Sequence, residues 1–106
     1  MSKPLTRQIL EHARDIIADE NHWCRGCLAR DAHGREVDPM NATAQRRCAY
    51  GALIAAAFEF VADIKLARDL ADAAAREMRG PSTLINTNDI QGHTAVLMLF
   101  DEALAF

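Results

Sequence analysis

The stretch Cys48-Ala49-Tyr50-Gly51-Ala52-Leu53-Ile54-Ala55-Ala56-Ala57-Phe58 carries no charge over eleven residues, between Arg46-Arg47 and Glu59. A run of this length is too short to span a bilayer and fits a helix buried on most sides. It predicts the central helix of the fold, from about Ala42 to Phe58 or Phe60. Ala44, Cys48, Gly51, Ala52 and Ala55 fall on one side at three- and four-residue spacing, a small-residue face that another backbone can approach closely. Leu53, Ala56, Ala57 and Phe60 are expected to fill the opposite side.

Upstream, Leu5, Ile9, Ala13, Ile16 and Ile17 form one apolar stripe, which predicts a first helix from Pro4 or Leu5 to Asp19. Residues 21–43 lack helical period. Within them Leu28 to Val37 reads as two short extended pieces, with Asp31 capping a turn and Gly34 supplying the positive φ that a bulged turn requires. A small hairpin or irregular loop is expected there, and Asp38 or Asn41 is expected to cap the helix that follows.

Downstream, Ile64, Ala67, Leu70, Ala71, Ala74 and Met78 predict the inward face of a third helix over about Ala62 to Met78, stopped by Gly80-Pro81. Residues 82–92 are rich in Ser, Thr, Asn and Asp and read as a loop. A last helix from His93 to Ala105 buries Val96, Leu97, Phe100, Ala103 and Leu104. The fold class is therefore mainly α: one four-helix domain over residues 1–106, with a small extended element between helices 1 and 2.

Composition narrows the function classes. The 106 residues are 50% hydrophobic and 25% charged, and a domain of this size buries roughly 60–70% of its unfolded surface. Net charge is −3, so no global field attracts nucleic acid and no nucleic-acid partner is expected. The charge is uneven: Arg25, Arg30, Arg35, Arg46 and Arg47 face only Asp31, Glu36 and Asp38 within residues 21–50. No signal-peptide core, membrane span or lipidation motif is visible. Three cysteines, an odd number, suit a reducing compartment, and the cytoplasm is the expected location.

Several pieces together resemble an uncharacterised bacterial and phage domain family: Trp23-Cys-Arg-Gly26 leading into Ala29-Arg30-Asp31-Ala-His-Gly34, then Arg47-Cys48-Ala-Tyr-Gly51-Ala-Leu53, then Asn88-Asp89 before a helix with Val96 and Leu99. The resemblance covers about Leu5 to Ala103. It implies one compact, mostly helical domain and brings no established activity, cofactor or partner. Cys27 stands where such proteins often carry Ala.

Three chemical readings compete. Cys24-x-x-Cys27 has zinc-knuckle spacing, and Cys48 with His22, His12 or His33 would complete a tetrahedral set. The plainer reading is two small thiols packed beside Trp23. In the second, Cys48 in the early turns of the central helix is a nucleophile, His93 its base, and Asn88 or Asp89 orients the imidazole for acyl transfer. Against this, the face of Cys48 is a packing face, and a buried thiol is usually a small hydrophobe.

The third reading is a non-catalytic interaction or regulatory module without cofactor, working through a protein partner or as a homodimer. Trp23, Arg30, Asp31 and Arg47 are its candidate binding residues, and Phe100, Leu104 and Phe106 candidate anchors. This third reading is the one the sequence favours.

Overall fold

The computed structural model describes residues 4–105, so the expected anchor Phe106 lies outside the described residues. Five helices and one two-stranded ladder follow one another: α1 (Leu5–Ile17), β1 (Ala29–Arg30), β2 (Arg46–Arg47), α2 (Ala49–Val61), α3 (Ile64–Arg76), α4 (Pro81–Asn86) and α5 (His93–Leu104). A 3₁₀ turn over Glu20–His22 follows α1, and a π turn over Thr87–Gln91 joins α4 to α5. The mainly helical architecture expected from the sequence is present.

α2 is the hub. Every residue from Ala49 to Ala57 except Tyr50 is buried, and α1 and α3 pack along it. The small-residue face has the expected purpose: a Cβ on Gly51 would sit 2.1 Å from the carbonyl oxygen of Leu28. Ile9, Leu10, Ala13 and Ile17 of α1, Ala67, Ala71 and Ala74 of α3, and Val96 and Phe100 of α5 complete the core. Polar ties brace its rim. Arg7 donates to the carbonyl of Leu104 (2.7 Å), and Arg14 meets Asp101 (2.7 Å). Tyr50 donates to Asp72, and His12 meets Glu59.

Three expectations are corrected. First, α2 begins at Ala49, not Ala42. Asp38 and Asn41 do not cap it; each closes an Asx turn, accepting from Met40 N and Thr43 N. Arg46 and Arg47 then run extended, pairing with Arg30 and Ala29, and Ala44 lies in the preceding loop.

Second, the fold has five helices rather than four. Gly80 (φ 95°) breaks the chain, and Pro81 takes the first position of α4, where its missing N–H costs nothing. Leu84 alone anchors α4 in the core, which is why a polar stretch hides a helix.

Third, Phe60 and Ile64 do not point inward but are exposed. Ala62 (φ 53°) turns the chain and Asp63 caps α3 by accepting from Leu66 N, so burial in α3 starts only at Ala67.

The small hairpin expected within residues 28–37 is present: Arg30 bridges Glu36 antiparallel, and Val37 N donates to the carbonyl of Ala29 (3.0 Å). Asp31 does cap its turn, accepting from His33 N and Arg35 N, and Gly34 has φ 80°. β1 also pairs on its other side with β2.

Candidate functional site

Three sequence segments far apart in the chain meet at one buried amide. Asn88, 1% exposed in the π turn, accepts at Oδ1 from Trp23 Nε1 (2.7 Å) and from Ala49 N (2.9 Å). Its Nδ2 donates to the carbonyl of Cys24 (3.1 Å) and to Asp89 Oδ1 (3.0 Å). Both acceptor positions and both donors are used, so the side chain is fully satisfied. Asp89 extends the clasp by accepting from Gly26 N (2.9 Å), and its carbonyl takes Arg25 Nη1 (3.3 Å).

Cys48 sits at the entrance of α2 as its N-cap, where Sγ accepts from Gly51 N (3.2 Å). It is 6% exposed, and burial pushes its thiol up to about 11 against the downward pull of the Gly51 and Tyr50 amides. Burial, reinforced by Cys27 and Cys48, pushes Cys24 up to about 12. Desolvation thus outweighs the helix N-terminus, which on its own favours thiolate.

Cys27, Cys48, Asn88 and Asp89 line a common pocket of about 140 Å³ with Gly26 and Ile85. His93 does not line it. The His93 Nε2 lies 2.6 Å from the carbonyl of Ile17 and therefore carries a proton directed there, while the ring leans on Trp23 with centroids 5.5 Å apart. The structure brings three of the four acyl-transfer candidates together and engages the fourth elsewhere.

The zinc set is not assembled. Among the described residues no group of three or more His, Cys, Asp and Glu side chains is placed to hold a metal ion. The sulfur atoms turn to the backbone instead: Cys24 Sγ toward the carbonyl of Cys27 (3.8 Å), Cys27 Sγ toward that of Ala29 (3.4 Å). His22 is exposed at the end of its 3₁₀ turn.

The candidate binding residues divide. Arg47 is structural: its Nε donates to the carbonyl of Pro39 (2.7 Å), and burial pulls its guanidinium down from the usual arginine range. Asp31 belongs to its turn. The amides of Arg35 and His33 hold its carboxyl below the usual carboxylate range. Trp23 and Arg30, by contrast, border an open cleft of about 440 Å³ together with Arg25 and Arg46. No motif in the sequence marks Arg25 or Arg46 as a ligand. Only the excess of arginine in residues 21–50 pointed to them.

No curated protein and no solved structure matches the chain. A family model matches the whole sequence: over residues 1–106 the chain belongs to DUF6197, a family of unknown function.

Proposed function

We propose that this chain is a non-catalytic association module that pairs with a second copy of itself through the corner between α2 and α3. One observation carries the reading. Phe60, Ile64 and Leu66, at 44%, 53% and 46% exposure, crowd seven consecutive residues with large apolar side chains turned to solvent. Lys65, Arg68 and Asp69 beside them mix both signs, so a two-fold arrangement can set acidic against basic groups around an apolar centre. The unpaired thiols of Cys24, Cys27 and Cys48 suit a reducing compartment, the cytoplasm. No helix of the described residues is long and apolar enough to cross a membrane.

Sedimentation velocity over a concentration series tests the proposal. A dimer at about 100 μM that Ile64→Asp converts to a folded monomer supports it. A wild-type monomer at that concentration overturns it.

A second reading keeps thiol chemistry, on the strength of the pocket that Cys48 shares with Asn88 and Asp89. It requires His93 to leave the Ile17 carbonyl and Cys48 to ionise near neutral pH. Site-resolved alkylation separates the two: rapid labelling of Cys48 at pH 7 favours the enzyme, and protection favours packing.

A further inference from the structure

The register of the short ladder sets Arg30 directly opposite Arg46. Like charges directly opposite one another on a strand pair repel and weaken the pairing. Both arginines border the cleft of about 440 Å³, as do Arg25 and a single carboxylate, Glu20. None of the three arginines forms an ion pair with Asp or Glu among the described residues.

Two of the guanidiniums are already held in place. Arg30 Nη1 donates to the carbonyl of Gly34 (2.9 Å). Arg25 lies over the Trp23 ring, 5.1 Å from its centroid, with Nη1 on the carbonyl of Asp89. Each bond uses one donor of five, so most of each fork stays available. The Arg46 side chain is exposed on β2 and makes no polar contact among the described residues.

We propose that this cleft binds a phosphate group carried by a small molecule, with Arg30 and Arg46 as the principal ligands and Arg25 flanking them. Among the residues that line the cleft, three guanidiniums against one carboxylate leave a charge of about +2, which suits a phosphate group better than a single carboxylate. Glu36, opposite Arg30 on its other side, forms no ion pair with it. The cleft volume falls within the range of small-molecule sites. Trp23 offers no stacking platform, because it is buried, Arg25 covers a face of its ring and the His93 ring packs against it. That geometry disfavours a single-stranded nucleic acid, which needs exposed aromatic faces. The overall charge of −3 also removes diffuse attraction, so anion binding here has to be local.

The test is a two-dimensional NMR titration at low ionic strength, read at the Trp23 indole N–H and the arginine Nε–H signals. The probes are inorganic phosphate, glycerol 3-phosphate and a single-stranded oligonucleotide, with sodium chloride at matched ionic strength as control. Saturable shifts with a millimolar or tighter Kd, weakened at least about tenfold by Arg46→Ala and partly restored by Arg46→Lys, support the site. Tighter binding of glycerol 3-phosphate than of phosphate assigns an organic phosphate. Equal affinity assigns the free ion and overturns the small-molecule part of the proposal. Shifts reproduced by chloride, shifts indifferent to Arg46→Ala, or no shift up to about 10 mM overturn the site itself. Preferred binding of the oligonucleotide replaces it with a nucleic-acid surface. Arg46 is exposed and uninvolved in packing, so a thermal melt of the variant confirms that any loss is not unfolding.

Discussion

Trp23 donates its indole N–H to the side-chain oxygen of Asn88 at 2.7 Å, a bond between residues sixty-five positions apart and both buried. Removing the amide leaves the indole, the Ala49 N–H and the Cys24 carbonyl without their partner. Asn88→Ala is therefore expected to cost about 2–4 kcal/mol, read as a lower urea midpoint. Asn88→Asp keeps the acceptor but loses the donors and sets a charge beside Asp89, so it is expected to be destabilising too. An unchanged midpoint in both variants contradicts the clasp.

Gly51 sets two effects against each other. In an exposed helix, Gly→Ala stabilises by about 1 kcal/mol. Here the added carbon would stand 2.1 Å from Leu28 O, a backbone atom that accepts from Cys48 N and cannot swing aside. The clash is expected to win, and Gly51→Ala to lower stability by about 1–3 kcal/mol in thermal or chemical melts. A rise in melting temperature would show that the loop over α2 yields.

For Cys48 the cap contact decides. Serine at this position inherits the Gly51 N–H as a donor, so Cys48→Ser is expected to stay within about 1 kcal/mol of the wild type. Cys48→Ala loses the cap and is expected to cost about 1 kcal/mol. Comparing the two urea midpoints checks this. A serine variant less stable than the alanine variant would mean that the hydroxyl finds no partner there.

Alkaline pH should loosen the fold. Cys48, Cys24 and Tyr50 have folded values raised to about 11, 12 and 12 from ordinary values of 9.0, 9.0 and 10.0, chiefly by burial. A raised value means the native state holds its proton more tightly than the unfolded chain does. The associated stability is complete below pH 9 and is lost as pH climbs from 9 toward 12. Urea midpoints across that range are expected to fall, with a smaller fall in Cys24→Ala. A flat profile contradicts the burial of these groups.

The parts of the fold readable from sequence are those written in local pattern. The uncharged run of α2, the Gly34 turn, the break at Gly80 and the stripe of α5 each show within a dozen residues. Arg46-Arg47 reads as a charged helical turn because a two-residue strand has no period; only its pairing with Ala29 and Arg30 makes it a strand. α4 escapes notice because Leu84 alone ties it to the core. The candidate site suffers from the same limit. Asn88 reads as one polar residue of a loop until Trp23, Cys24 and Ala49 are seen around it. The cleft is assembled from arginines at 25, 30 and 46, which no spacing rule links.

The clasp at Asn88 also sets an order of events. The segment from Trp23 to Arg47 is long; Cys48 N on the carbonyl of Leu28 ties its middle to the start of α2, but its Trp23 end is tied there through the side chain of Asn88, much further along the chain. On a ribosome, α1, α2 and α3 emerge and can pack while the Trp23 indole and the Ala49 N–H still wait for their acceptor. The Trp23 end of the loop locks only once residue 88 has been delivered. A chain cut after Gly80 should then retain helical signal but exchange the Trp23 indole proton freely with solvent.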